Sequence, residues 1–235
     1  MKLYGKNPVV ERIKAKPQSI KKLYLQKKTD LSLLVKEAKK AHLTFESVDR
    51  TWFKDRCGDL HTQGVMAEVD EFEYAPFPDI LEVCFKGDST LIFLDGVEDP
   101  QNLGSIIRNL ACLGSFSLVL SQHGAVHVTE TVLRVANGGE NYVKVAKVAS
   151  TSNAVRKAKE KGFTVLGASV CGEDITQADF TPPVCIIIGS EGKGIRPALK
   201  KLIDAELTLP MKGAALSYNV ASAALLFCYE LERRK

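Results

Sequence analysis

The sequence predicts an α/β protein: a mainly parallel sheet covered on both faces by helices, with a smaller α/β unit in front of it. Three observations predict this. From residue 89 onward, short apolar runs such as "TLIFLDGV" and "VCIIIG" alternate with stretches of helical apolar period. Runs with no polar side are strands buried on both faces, as parallel strands are. The first seventy-odd residues also mix strands and helices, and "YAPFPDILEVCFKGD", with two prolines and no clear period, separates the two regions. The expected division is a unit over 1–75, a linker over 76–88 and a larger domain over 89–235, compatible with a chain of 235 residues.

In the first unit, "NPVVERIKA" has the spacing of a short amphipathic helix and "IKKLYLQ" that of a strand. "DLSLLVKEAKKAH" opens on an Asp suited to an N-cap and continues at helical period. "LTFESVD" and "QGVMAEVDEFEY" follow as strands, with the polar helix "RTWFKDRCGD" between them.

Beyond the linker, "TLIFLDGV" is a strand, followed by a helix from about Asn102 to Leu113 and the strand "SLVLS". "TETVLRVANGG" reads as a helix with a glycine stop, "YVKVAKV" as a strand and "STSNAVRKAKEKG" as a capped helix with a basic face. The strands "FTVLGAS" and "VCIIIG", the loop "SEGKG", a short helix at "IRPALKKLI", the strand "AELTLP" and a long helix from about Ser217 complete the chain. No internal repeat or low-complexity segment interrupts this order.

A hydrophobic content of 45% with 26% charged residues is that of an ordinary soluble globular protein. No apolar run approaches the length of a membrane span, and "MKLYGKNPVV" has no signal-peptide core, so the cytoplasm is the expected location. Cys57, Cys84, Cys112, Cys171, Cys185 and Cys228 form no CxxC pair and no Cys/His cluster, so they are expected as reduced thiols without a metal. Residues 1–42 carry twelve Lys or Arg against Glu11, Asp30 and Glu37, a net charge of +9 that leaves −5 for the rest. Such a concentration is either a footprint for a polyanion or a solvated lysine-rich surface.

Chemistry in open α/β sheets sits where strands hand over to loops at one edge, and three such places stand out. In "DGVEDPQNLGSIIR" a buried strand ends at Gly96, Asp99-Pro100 turns the chain, and Asn102 lies at a helix N-cap or first turn. Gly104 permits close approach of a backbone or a ligand. Arg108 shares its face and leans back toward the helix start, either as a structural ion pair or as a guanidinium at the mouth of a site.

The second place, "IIIGSEGKGIRP", is a strand, a glycine loop and a helix. It matches neither the P-loop nor the GxGxxG pattern. Glu191 in it would repel a phosphate, so the loop is either a tight turn or a seat for a neutral or cationic ligand such as S-adenosylmethionine. In the third, "LTLPMKGAALSYNVASA", a small-residue loop leads to Ser217 and Asn219, natural residues for a helix start. Its exposed N–H groups could equally hold an adenine edge and a carboxylate.

In this order, "DPQNLGSIIR", "IIIGSEGKGIRP" and "LPMKGAALSYNVASA" resemble the signature of the SpoU/TrmH family of RNA 2′-O-ribose methyltransferases. "YGKNPVVERIK" and "TQGVMAEV" look like the L30e-like substrate-binding domain that precedes the catalytic domain in ribosomal-RNA members, so the resemblance spans nearly the whole chain. It implies a SPOUT-type catalytic domain with a deep C-terminal trefoil knot, S-adenosylmethionine as cofactor, a homodimer, and RNA held through the basic N-terminal domain. Asn102, Arg108, Glu191, Ser217 and Asn219 match the family's catalytic-site positions. The cofactor positions it implies are Gly189, Ser190, Glu191, Gly192 and Gly194 in the second motif, with Leu209, Met211, Leu216, Ser217 and Asn219 around the third.

One departure stands in the third motif. Where the family commonly reads Ser-Leu-Asn-Val-Ser, this chain has Ser217-Tyr218-Asn219-Val220-Ala221, with Ser222 one position late. The reaction implied is in-line methyl transfer to a ribose 2′-oxygen, with Arg108 either taking the hydroxyl proton or orienting the hydroxyl and stabilising the alkoxide. His42, His61, His123 and His127 lie outside the three motifs. Large-subunit ribosomal RNA, with guanosine favoured, is the expected substrate. The alternatives are transfer RNA, methylation of a base nitrogen, and a non-catalytic RNA-binding or ribosome-assembly factor that keeps the fold.

Overall fold

The computed structural model describes residues 1–58, 60–87, 89–213 and 216–234. Asp88 at the end of the expected linker, and Ala214 and Ala215 of the third motif, lie outside the described residues.

The N-terminal unit is a four-stranded sheet of β1 (Lys2–Tyr4), β2 (Ile20–Gln26), β3 (Glu46–Val48) and β4 (Val65–Val69), in the order β1-β4-β2-β3. α1 (Lys6–Ala15) and α2 (Ser32–Lys40) bring Val9, Val10, Ile13, Leu34 and Ala38 into one core with Leu23, Leu25, Val65 and Ala67. α3 (Arg50–Cys57) covers the other face, where Phe53 and Cys57 meet Tyr4, Tyr24 and Met66. Asp49 caps α3 by accepting from the Trp52 N–H at 2.8 Å. The strand expected to continue through Tyr74 stops at Val69, whose N–H donates to the Met1 carbonyl at 2.8 Å. Beyond that point Phe72 and Tyr74 pack against the core instead.

The expected linker is a helix over much of its length. α4 (Phe77–Phe85) buries Ile80, Leu81 and Cys84 against the larger sheet. Phe77, Ile80, Leu81 and Cys84 follow the i, i+3, i+4, i+7 pattern. The two prolines do not break it, since Pro76 is the N-cap and Pro78 lies in the first turn, where a missing N–H costs no helical bond.

The larger domain is a six-stranded sheet, parallel throughout. Its strands are β5 (Thr90–Asp95), β6 (Phe116–Ser121), β7 (Lys144–Val148), β8 (Thr164–Asp174), β9 (Val184–Gly189) and β10 (Ala205–Thr208), in the order β10-β8-β9-β5-β6-β7. Alternate residues of β5 serve two cores. Leu91 and Phe93 face α4, α7 (Thr151–Glu160) and α8 (Pro197–Lys200). Ile92 and Leu94 face α5 (Pro100–Leu113), α6 (Glu130–Ala136) and α9 (Val220–Arg233). This two-sided burial is why the strands read as unbroken apolar runs.

The two units share one core, and polar contacts reinforce it. The Arg12 guanidinium meets Glu140 at 3.2 Å with both side chains nearly out of solvent, the Lys2 N–H donates to Glu130, and the Tyr142 hydroxyl donates to Glu11. Burial pushes the Glu140 carboxyl above its ordinary range, against the pull of Arg12.

At its far end α9 is tied down by charge. Glu230 accepts from Arg233 and Arg234, and Arg234 donates to the Ile175 and Ala178 carbonyls beyond β8. The hydrogen bond from Arg233, followed by that from Arg234, lowers Glu230 from 4.5 to about 2 against opposing desolvation. A depressed carboxyl stabilises the fold above its unfolded pKa and loses that contribution as pH falls toward the folded value. The Tm difference between wild type and Glu230→Gln is therefore expected to be full above pH 4.5 and to vanish near pH 2. Thermal unfolding followed by circular dichroism across that window measures it; a difference independent of pH would show that the charge contributes nothing.

Candidate active site and cofactor cavity

β5 and β9 are neighbours in the sheet, with Asp95 in register with Gly189, so the loops after them leave the same edge side by side. Asp95, whose side chain is wholly out of solvent, reaches across to the far end of the glycine loop. It accepts from the Arg196 backbone N–H at 2.7 Å and from Arg196 Nε at 2.6 Å. Hydrogen bonds to a charged group contribute about 1.5–3 kcal/mol, and the half-exposed guanidinium puts the side-chain bond at the low end.

Within the loop the Gly194 N–H donates to the Ser190 carbonyl at 2.8 Å, and Gly194 has φ +63°. A methyl on Gly189 would stand 2.2 Å from the Gly194 carbonyl carbon, so the loop closes only over glycine.

The tip of that loop joins the three motifs. Glu191 Oε1 accepts from Asn219 Nδ2 at 2.5 Å, the Val220 backbone N–H at 3.1 Å and Asn102 Nδ2 at 3.3 Å. Asn219 Nδ2 also reaches Asn102 Oδ1 at 2.9 Å, while Asn219 Oδ1 accepts from the Ala221 N–H and so caps α9. The carboxylate thus rests on the positive end of a helix. Asn102 lies inside the first turn of α5, whose cap is Asp99, and its amide is therefore free to bridge the other two motifs.

Two cavities adjoin this junction and share Ser190, Glu191, Gly192, Lys193, Gly194 and Val220 as a common wall. The first, of about 370 Å³, lies between the glycine loop, β8 and the third motif. It contains Gly189, Ser190, Glu191, Gly192, Gly194, Leu209, Met211 and Ser217 of the expected cofactor positions. Leu216 is 74% exposed and outside both linings, and Asn219 enters through its bond to Glu191. Glu206 and Thr208 of β10 and Tyr218 also line it. An apolar wall of Ile188, Leu209, Met211 and Phe227 beside two carboxylates suits an adenosine carrying a sulfonium, and Lys193 and Lys200 suit its carboxylate. The second cavity, about 390 Å³, opens beside Asn102, Asp99 and Glu98.

Arg108 is exposed on the outer face of α5 and lines neither cavity. Gly104 serves helix packing rather than a ligand: a methyl there would stand 2.5 Å from Val135 Cβ of α6. None of the four histidines lines either cavity. Sequence reasoning passed over Asp95, Arg196 and Glu206. An acid closing a buried strand was the available signal for Asp95, whereas nothing local marks Glu206.

A parallel sheet with a cavity outside adjoining strand ends is the ligand-binding arrangement of open α/β proteins, and comparison with known proteins gives the particular family. The model for the SpoU rRNA methylase family matches residues 89–229, and that for RNA 2′-O ribose methyltransferase substrate binding matches residues 2–75. YacO of Bacillus subtilis, assigned to the TrmH family of tRNA/rRNA methyltransferases, is 33% identical over 98% of this chain and 94% of its own. The 23S rRNA (guanosine-2′-O-)-methyltransferase RlmB of Coxiella burnetii is 31% identical over 99% and 95%. The SpoU methyltransferase AviRb of Streptomyces viridochromogenes, solved with AdoMet, superposes with a TM-score of 0.78 over 100% of this chain and 89% of its own. At 24% identity, that likeness is one of fold. The chain belongs to the SpoU rRNA methylase family. It is an RNA 2′-O-ribose methyltransferase that depends on S-adenosylmethionine.

Gly189→Ala is expected to spread the glycine loop and abolish binding of S-adenosylhomocysteine in a calorimetric titration, with the N-terminal unit still folded. Affinity equal to wild type would show that the loop does not shape the cavity.

Proposed function

We propose that the protein methylates a ribose 2′-hydroxyl in large-subunit ribosomal RNA, guanosine being the favoured nucleotide, in the cytoplasm. Support for the substrate comes from the relatives in Coxiella burnetii and Shewanella oneidensis named 23S rRNA (guanosine-2′-O-)-methyltransferases, which align over 99% of this chain. The single observation that carries the chemistry is the junction of Asn102, Glu191 and Asn219 between two adjoining cavities. The first cavity would hold the cofactor and the second the acceptor nucleotide. When bound, S-adenosylmethionine supplies a methyl group made electrophilic by its sulfonium.

In this scheme the glycine loop and the segment from Leu209 to Ser217 hold the donor, largely through backbone and small side chains. Glu191, fixed by three N–H donors, sets a negative charge on the shared wall, where a sulfonium is attracted and a phosphate repelled. Asn102 and Asn219 hold that wall in place. Arg108, outside both cavities of its own chain, would act on the site of a second copy across a dimer, orienting the 2′-hydroxyl and stabilising the developing alkoxide. A guanidinium with an ordinary pKa above ~12 serves better as a fixed charge than as a base.

A homodimer would complete the site. The outer face of α9 exposes Leu226 and Tyr229 (55%), and Leu216 and Tyr218 ahead of the helix are exposed as well. A second copy seated there would lie next to the outer face of α5, and therefore next to Arg108.

Arg108→Ala is expected to lower turnover by about 10²–10³-fold, the size of losing a preorganised charge, with S-adenosylhomocysteine affinity unchanged. Tritium transfer from the cofactor into ribosomal RNA reads this, and full activity would remove Arg108 from the chemistry. Mapping the methylated ribose in total RNA distinguishes ribosomal from transfer RNA as the substrate. For assembly, Leu226→Glu with Tyr229→Glu should convert a sedimenting dimer to monomer; a wild type that already sediments as a monomer would end the dimer reading.

A further inference from the structure

Far from the cofactor cavity, the N-terminal unit has a cleft of about 870 Å³ between the end of β2, the start of α1, α3 and the turn into β4. Its size falls within the ~300–1,000 Å³ of small-ligand sites. Arg50, Lys54, Lys6 and His61 line it, and no carboxylate does so among the described residues.

The want of acids in this lining, among the described residues, is not general to the unit. Residues 1–75 carry eleven acids against fifteen Lys or Arg, and three cations outside the cleft pair with acids: Lys14 with Glu11, Lys21 with Asp70, Lys40 with Glu37. Arg50 and Lys54 are exposed and have no acidic partner among the described residues. Four acids gather at the opposite end of β4, Glu68 within the strand and Asp70, Glu71 and Glu73 just after it.

The neutral groups of the cleft are also turned to donate. Gln63 Oε1 is occupied by the Lys6 backbone N–H at 2.8 Å, which leaves the amide NH₂ as a fixed donor. Thr62 Oγ1 accepts from the Gly64 N–H at 3.3 Å, leaving its hydroxyl proton to give. Between them Phe53 forms an apolar floor, and Leu60, 40% exposed, an apolar rim. A wall of fixed donors and cations beside a small apolar patch matches a ligand with an anionic part, carbonyl acceptors and a flat ring. In the substrate of an RNA methyltransferase, that is one unpaired nucleotide.

We propose that this cleft binds an unstacked nucleotide of the RNA substrate, its phosphate against Arg50 and Lys54 and its base over Leu60 with acceptors facing Gln63. The inference rests on the RNA-methylating function above and adds where, within the N-terminal unit, the RNA is anchored.

The test is filter binding of total RNA from cells lacking this methyltransferase, as a function of salt. Arg50→Ala with Lys54→Ala is compared with Lys14→Ala with Lys21→Ala, which removes the same charge outside the cleft. The cleft pair is expected to weaken binding at least about ten-fold and to reduce the salt slope by about 0.7, the value for the one single-strand phosphate the two side chains hold. The outside pair should change little. Gln63→Leu should weaken binding without changing the salt slope, which a merely electrostatic surface would not produce.

Equal losses in the two pairs, or none in the cleft pair, overturn the proposal. Arg50→Gln with Lys54→Gln, checked by thermal unfolding, replaces the alanine pair if that pair fails to fold. Methyl transfer by the wild type is scored separately. Its absence, with cleft-dependent RNA binding intact, would count against the substrate proposed above and leave the cleft standing.

Discussion

One carboxylate holds the catalytic domain in working form. Glu191 stands at the tip of a loop otherwise made of serine, glycine and lysine, and its Oε1 gathers N–H groups from α5, the approach to α9 and α9 itself. The partners are 89 and 28 residues away in sequence, so no local preference could bring them together. Glu191 is exposed, so these donors do not compensate burial; they fix the direction of its carboxylate, and the open end of a helix supplies one of them without rearrangement. Asp95 secures the other end of the same loop through Arg196. With both ends held by acids, the backbone between them is a preformed wall rather than a flap, and preformed dipoles are what a methyl transfer needs at its charged centre.

That rigidity extends to the N-terminal unit. Its α1 packs against the turn at 138–141, where a methyl on Gly138 would meet Glu11 Cβ at 2.6 Å and one on Gly139 would meet Arg108 Cα at 3.0 Å. The same turn carries Glu140, paired to Arg12 across the boundary. RNA gripped by the N-terminal unit is therefore presented to a catalytic domain that shares its core. Orientation is set by packing, and its entropic cost is met in folding rather than at each encounter. A buried ion pair adds little net stability, but the loss of either partner leaves a charge stranded, which makes Arg12 and Glu140 a device for register.

The alternation of strands and helices was legible because strands buried on both faces cannot hide their apolar character. The three motifs were legible because glycine, asparagine and acid at strand ends have few structural uses. What escaped was decided by neighbours. α4 went unseen behind two prolines, although Phe77, Ile80, Leu81 and Cys84 carry its period. Gly104 was correctly marked as a place of close approach, but only α6 shows that the approaching group is Val135. Arg108 and Gly104 do lie close on the helix circumference, yet that circumference turns toward α6 and solvent rather than toward the cavities. The charge imbalance of residues 1–42 was visible at once. Its meaning was not, because only the fold shows which of these cations meet acids from later in the chain, as Lys21 meets Asp70 and Arg12 meets Glu140.

The departure in the third motif can be placed on the same grounds. Ala221 is buried on the inner face of α9, and the junction uses its backbone N–H, which Asn219 accepts, rather than any side chain at that position. Replacing a serine there leaves the Glu191 assembly whole. Ser222 is exposed on the outer face, a turn of about 100° away, and its hydroxyl cannot reach the inner face that Ala221 occupies. Tyr218, by contrast, is 44% exposed and lines the cavity proposed for the cofactor, adding an aromatic wall where the family commonly has leucine. The two changes act on different parts of the site. One removes a hydroxyl beneath the start of α9, and the other enlarges the wall of the cavity proposed for the cofactor. Any effect of Ala221 must therefore come through the missing hydroxyl itself, because the geometry that joins the three motifs does not depend on it.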